Sequence, residues 1–442
     1  MPSMPNSSMN PADAMPAQPR VRGWRWAPAW ILAYVALWPA PGYAEGVLVL
    51  GALAAIMHLA LSRFRGGDKL LSNPAWALTS VLFFAYWTPE LVSAIDAIDP
   101  ARALREAAVD LRYLPFLWLV ASAVADPRGR RITFGGLAII VGIWTLDALV
   151  QAATGASPLF SGIDGIKHAI SGHGMCTPQE VASVDRLSGV LGPCNLKLGP
   201  VLASLSPFLL FAGGRRLGTV GWLLAAAAVG VVLVLAGSRA SWITYAIALV
   251  LSGWRMVGWK KLIGVFAVGA IAIATLSITV PQVRERLART THAVTADVEG
   301  VDSALSGRAR IWSAALCMAR EHPINGVGAR GFREAFPACD PAPGEIAVWG
   351  AGPALHAHQI FLEVLSETGA FGVLLWLAGL ALAWRAWRFA DEAARERARP
   401  AMWALAVTVF PINTHLAFYS TFWGGLTLLL AALYAGSLLA RE

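Results

Sequence analysis

Apolar runs of about 20 residues recur from Trp24 almost to the end of the chain, separated only by short polar breaks. A bilayer crossing needs roughly that length, and in hydrocarbon every backbone polar group must be satisfied within the segment, so runs of this kind fold as helices. Composition agrees: of 442 residues, 57% are hydrophobic and 14% charged, where soluble domains carry roughly a quarter charged residues. The expected fold is an all-α integral membrane protein in which residues 24–442 form one polytopic domain. Residues 1–23 are polar and rich in Pro, Met and Ser. They read as a disordered cytoplasmic tail and lack the small-residue cleavage site of a signal peptide, so the first span is expected to stay attached.

Hydropathy and its breaks place spans near 24–41, 43–62, 74–95, 113–125, 132–154, 188–212, 217–237, 240–254, 262–280, 359–383, 401–418 and 420–440, about twelve in all. The span at 113–125 is short and requires tilt or a kink. With the N-terminus inside, the inward segments carry Arg20, Arg22 and Arg25, then Arg63, Arg65 and Lys69, then Arg128, Arg130 and Arg131. Arg215 and Arg216 follow, then Arg255, Lys260 and Lys261, and finally Arg385, Arg388, Arg395, Arg397 and Arg399. Every inward loop is then basic, as the positive-inside bias requires. That agreement favours an even number of spans, with both termini on the cytoplasmic side of a bacterial inner membrane. The same bias accounts for the net charge of +8. No basic cluster is interleaved with a stacking platform, so nucleic acid is not an expected partner.

Three outward segments are long: about 96–112, about 155–187 and about 281–357. The first mixes Asp96, Asp99, Arg102, Arg105, Glu106, Asp110 and Arg112 with apolar residues and reads as a helix at the membrane surface. The third is the one large enough for a periplasmic lobe. Within it, Ser306 to Arg320 has helical spacing, with Leu305, Ile311, Trp312, Ala315, Leu316 and Ala319 able to share one face and lie on the bundle as a lid. Cys176, Cys194, Cys317 and Cys339 all fall on or near the outer face. An oxidising periplasm permits Cys176–Cys194 and Cys317–Cys339 as the locally simplest pairs, and unpaired packing cysteines are the open alternative. No CxxC or HExxH spacing marks a zinc site.

Charged side chains at the ends of spans are costly and so point to function when no partner explains them. Four positions on the outward side meet that description. Arg186 precedes a span in Asp185-Arg186-Leu187-Ser188-Gly189, and Arg239 sits in the short turn Gly237-Ser238-Arg239-Ala240-Ser241. Arg308 opens the lid helix in Ser306-Gly307-Arg308, and His358 begins a span two residues after His356. The plain alternative for each arginine is snorkelling to lipid phosphates, and for a lone histidine a satisfied place at an interface. Arg239 fits the plain reading least, because small neighbours permit close approach at a fixed depth. Guanidinium forks beside a helix N-terminus suit a phosphate or diphosphate. An imidazole at the membrane surface suits removal of a proton from a sugar hydroxyl. Glu363 and Glu367 lie further along the same span, on neighbouring faces.

Two stretches resemble a known family. Ser306-Gly307-Arg308-Ala309-Arg310-Ile311-Trp312, followed by Glu321-His322-Pro323-Ile324-Asn325-Gly326-Val327-Gly328-Ala329-Arg330-Gly331-Phe332, is similar to the signature loop of the O-antigen ligase and polymerase superfamily. His358-Gln359-Ile360-Phe361-Leu362-Glu363-Val364-Leu365-Ser366-Glu367-Thr368-Gly369-Ala370-Phe371-Gly372 resembles its histidine-plus-glutamate-glycine segment, with Gln359 where the family usually has Asn. The resemblance implies a glycosyltransferase that takes a glycan from undecaprenyl diphosphate and uses no nucleotide sugar, cofactor or metal. Its acceptor would be lipid A-core in a ligase, another repeat unit in a polymerase, or a protein hydroxyl in an O-linked oligosaccharyltransferase. By that resemblance His358 is the expected base, with His356 its competitor for the position, and Arg186, Arg239 and Arg308 hold and stabilise the diphosphate, with His356 beside them. Ligase is the first expectation, because no large soluble domain follows the last span and the late loop is single and compact. A transporter of lipid-linked sugars would also need basic residues, but near the bilayer midplane on broken helices.

Overall fold

In the computed structural model the described residues are 24–65, 69–183, 186–279, 284, 307–347, 349, 352–411, 413 and 417–440. The tail 1–23 and most of 281–306, including Leu305 and Ser306, lie outside them. The described residues form helices and contain no strand longer than an isolated bridge. In chain order these are α1 (Ala27–Ala36), α2 (Pro41–Arg65), α3 (Asn73–Ser93), α4 (Pro100–Asp110), α5 (Tyr113–Ala123), α6 (Pro127–Thr154), α7 (Pro158–Ser171) and α8 (Pro178–Ser183). They continue with α9 (Leu198–Ala236), α10 (Arg239–Met256), α11 (Trp259–Thr279), α12 (Arg308–Glu321), α13 (Phe332–Cys339), α14 (Ile360–Phe389), α15 (Glu392–Val409) and α16 (Thr421–Leu438).

Six of the described helices are long and apolar enough to cross a membrane: Pro41–Ser62 of α2, α6, α9, Trp259–Ile278 of α11, α14 and α16. Their boundaries follow ordinary end chemistry. Ser72, Asp126, Asp391 and Ser420 accept a backbone N–H of the first turn as N-caps of α3, α6, α15 and α16. Gly155 and Gly237 close α6 and α9 in the left-handed conformation. α16 is buried on all sides, with Leu426, Leu430, Leu433 and Tyr434 at 0% exposure, and forms the centre of the bundle.

α9 is two helices in one. Gly218 has φ 59° and ψ −143°, a region open essentially to glycine alone. A Cβ on Gly221 would stand 2.3 Å from the carbonyl oxygen of Gly213, an approach possible only if the chain turns back on itself there. The second arm matches the run read from the sequence at 217–237, whereas the first begins at Leu198 rather than near 188 and runs on to the Gly218 break. The eleventh run differs from the reading. The helix occupies Glu392–Val409 rather than 401–418, because Asp391 caps it early, with its carboxylate 2.6 Å from the Ala394 N–H. Phe410, the residue before Pro411, is extended at φ −64° and ψ 142°, as residues preceding proline prefer.

Described residues between 307 and 357 pack into a lobe with its own apolar core: Ile311, Ala314, Ala315 and Met318 of α12 meet Val327, Phe332, Ala335, Phe336, Cys339, Ala354 and Ala357. The lid helix thus buries a stripe at Ile311, Ala314, Ala315 and Met318, and Leu316, expected on that face, is 42% exposed. The 3.6-residue period permits both stripes, and the partner α13 selects one. Disulfides join Cys176 to Cys194 and Cys317 to Cys339. α4 is the surface helix expected at 96–112; it is tied to the lobe by ion pairs Arg102–Glu334 and Glu106–Arg330.

Candidate active site

The entry to α14 carries the two histidines in an unusual backbone. His358 has φ +53°, a conformation costly to a side chain with a Cβ. It is held from both sides. The Trp312 indole N–H of the lid helix donates to the Ala357 carbonyl at 3.1 Å, and the Ile360 N–H donates to the Asn413 carbonyl at 3.2 Å. Gln359 is the N-cap: its side-chain oxygen accepts the Leu362 N–H, and its amide nitrogen donates to the Pro411 carbonyl at 2.8 Å. The imidazoles of His356 and His358 then lie with ring centroids 3.9 Å apart.

Cations gather around these rings. Arg308, the first residue of α12 after Gly307 at φ 76°, is held below the usual arginine range by burial first and then by the fields of Arg239 and Arg186. The two histidines are lowered as well. Burial, then Arg308, brings His358 to about 4; burial, then His358, Arg333, Arg308 and Lys197, brings His356 to about 3. Both imidazoles are therefore neutral near pH 7 and able to accept a proton. Arg239 starts α10 directly after the α9 turn, where Ser241 donates to the Ser238 hydroxyl at 2.9 Å. Gly199 of α9 lies against them, since a Cβ there would stand 3.0 Å from the Ser241 hydroxyl.

All five residues singled out in the sequence, Arg186, Arg239, Arg308, His356 and His358, thus belong to one electrostatic neighbourhood. Two further residues join it. Lys197 precedes α9 with its ammonium 4.5 Å from the centroid of the Phe422 ring. Arg333, on the first turn of α13, has its Nε buried with no hydrogen-bond partner among the described residues. Lys197 was open to the argument that found Arg186, a charge at the outward end of an apolar run. Arg333 carries no such signal, because a charge in a polar lobe has no visible cost until the lobe folds over it.

The glutamates of the histidine segment do other work. Glu363, 1% exposed, lies against the Phe418 and Tyr419 backbone, and its Oε2 is buried with no hydrogen-bond partner among the described residues. Glu367, also 1% exposed, accepts the Arg330 N–H at 2.7 Å. Around it the lobe loop locks into a break in α14. Gly369 has φ 65° and ψ −166°, and its helical bonds are replaced by Ala370 N–H to Pro323 and Phe371 N–H to Ile324, at 2.9 and 3.2 Å. In return the Val327 and Gly328 N–H groups donate to Ser366 and Glu367 at 2.9 and 3.0 Å. A Cβ on Gly326 would sit 2.3 Å from the Glu367 backbone, and one on Gly369 would sit 2.1 Å from the Ile324 oxygen. The glycine-rich loop and the Glu-Thr-Gly segment are thus the two halves of a backbone latch that fixes the lobe to α14, the helix that the histidines precede.

An all-helical membrane bundle that gathers guanidinium groups around a pair of neutral imidazoles, under a latched lobe, is built to hold an anionic group beside a proton acceptor. Residues 223–377, which include Arg239, Arg308, both histidines and the latch, match the family model described as O-antigen ligase. No curated protein matches the chain. Arg186 and Lys197 lie before the matched segment.

Proposed function

We propose that this protein is an O-antigen ligase of the bacterial inner membrane, transferring a glycan from undecaprenyl diphosphate to a sugar hydroxyl of lipid A-core on the periplasmic side. The observation that supports the reading is that Arg308 feels the fields of Arg239 and Arg186 and itself acts on both His356 and His358. The two disulfides support placing this face in an oxidising compartment, and the basic loops at the opposite ends of the helices support a cytoplasmic location for both termini.

In the proposed reaction the acceptor hydroxyl oxygen attacks the anomeric carbon of the donor sugar. The bond from that carbon to the diphosphate oxygen breaks, and its electron pair leaves with undecaprenyl diphosphate. The hydroxyl proton passes to His358, which is neutral and lies in the field of Arg308. Arg186, Arg239 and Arg308 stabilise the charge that grows on the departing diphosphate, the part a divalent ion plays at other diphosphates. Direct displacement inverts the anomeric centre.

Purified protein in detergent or liposomes, given lipid-linked glycan and lipid A-core without added metal, is expected to form glycan–lipid A conjugate, and His358→Ala is expected to lose that activity while still inserting. Lengthened lipid-linked chains with no conjugate would make it a polymerase instead, and full activity of His358→Ala would remove His358 from the mechanism.

A further inference from the structure

α7 is a helix turned inside out for a water-facing surface. It follows the membrane-crossing α6 after only Gly155, Ala156 and Ser157, so it begins at the bilayer surface. None of its 14 residues is fully buried. Yet its charged residues are turned inward: the Asp164 carboxylate accepts the Met175 N–H, and the Lys167 ammonium donates to the Gly174 carbonyl at 3.0 Å. Leu159, Ile166 and Ile170 point away from the protein at 37%, 64% and 72% exposure. At 3.6 residues per turn these three share one side, while Ser161 and His168 lie on the other.

This orientation is fixed by other contacts. Asp147 of α6 accepts both the Ser157 hydroxyl, at 2.7 Å, and the Leu159 N–H, at 2.9 Å. Phe160 packs so tightly on Gly192 that a Cβ there would stand 2.1 Å from its ring. The Cys176–Cys194 disulfide closes the segment onto the start of α9. A stripe of large aliphatic residues held outward at the end of a membrane-crossing helix, with its own charges withdrawn, matches the surface chemistry of an acyl-chain boundary.

We infer that α7 is an interfacial membrane helix that beds Leu159, Ile166 and Ile170 in the lipid leaflet on the lobe side of the protein. Its partner is the bilayer itself, and through the disulfide it sets the depth of the segment that carries Arg186. The native cysteines are all disulfide-bonded, so an introduced cysteine is the only free thiol. Nitroxide labels at Ile166→Cys, Ile170→Cys, Ser161→Cys and His168→Cys, in vesicles of phosphatidylethanolamine and phosphatidylglycerol, can be read by collision with oxygen and with a water-soluble nickel chelate. A several-fold excess of oxygen over nickel collisions at 166 and 170, reversed at 161 and 168, is the expected result. Nickel access at 166 and 170 equal to that at 161 would overturn the inference, as would exclusion of both reagents, which would place a protein partner there. The readout involves no glycan transfer, so it fails independently of the proposed reaction.

Discussion

His358 illustrates how one side chain can be tuned by the ligand it serves. Burial and Arg308 hold its imidazole at about 4, so it is a weak base while the site is empty. A bound diphosphate would offset the arginine field and raise that value, strengthening the base only when the donor is in place. The pH dependence of kcat/KM reports the free enzyme and that of kcat the loaded one. The acid limb of kcat is therefore expected at higher pH than that of kcat/KM, and Arg308→Ala is expected to move the kcat/KM limb upward; coincident limbs would refute the coupling. Stability carries the same signature. Because the folded value lies below the unfolded value of about 6.5, the unfolded chain binds protons first on acidification. Stability is full above about pH 6.5 and falls toward pH 4, by at most about 1.4 kcal/mol per pH unit for each histidine. Replacing both with Gln should flatten that decline in a thermal melt. At this scale the arginines and histidines were legible because charge at a span end is costly wherever the chain goes. What was not legible was the use of Glu363 and Glu367, whose backbone neighbours come from the segment before α16 and from the lobe loop and are brought close only by folding.

Elements fix where those side chains stand. The latch between the lobe loop and the break in α14 depends on two positions where the backbones touch, so Gly326→Ala and Gly369→Ala are each expected to destabilise the lobe. The left-handed penalty alone is about 1–2 kcal/mol, and the contacts with Glu367 and Ile324 add to it. A drop in transfer activity with protease sensitivity confined to the lobe would be the result; unchanged melting would show that the latch is dispensable. The Cys176–Cys194 bridge closes a separation of 18 residues, a constraint worth roughly 3 kcal/mol in the chain-entropy account. Cys176→Ser with Cys194→Ser is expected to weaken donor use through release of Arg186, while Arg186→Ala in that background should cost little more. Hydropathy and its polar breaks located most of the long helices from sequence alone, although the number that cross the membrane was not fixed by them. The lid stripe shifted because two apolar faces were available and α13 chose one. The span near 401–418 moved because Asp391 and Pro411 set its ends more strongly than hydropathy did.

The whole molecule follows from where the apolar runs reverse. The hinge at Gly218 brings Arg215 and Arg216 to one end of the bundle, and the turn at Gly237 brings Arg239 to the other. Each arm of α9 is close to the roughly 20 residues a crossing needs. If both arms cross, the chemistry at Arg239 and the basic hinge are on opposite sides of the membrane, and the count of about twelve spans with both termini inside is self-consistent. If α9 instead lay partly along the surface, every later helix would invert and the disulfide of the lobe would face the reducing cytoplasm. A phosphatase that is active only in the periplasm separates the two. Fused after Gly218 it is expected to be inactive and fused after Ser238 active, with a cytoplasmic fluorescent reporter giving the opposite pattern. Phosphatase activity after Gly218 would break the topology, and with it the proposed placing of the guanidinium cluster on the periplasmic face.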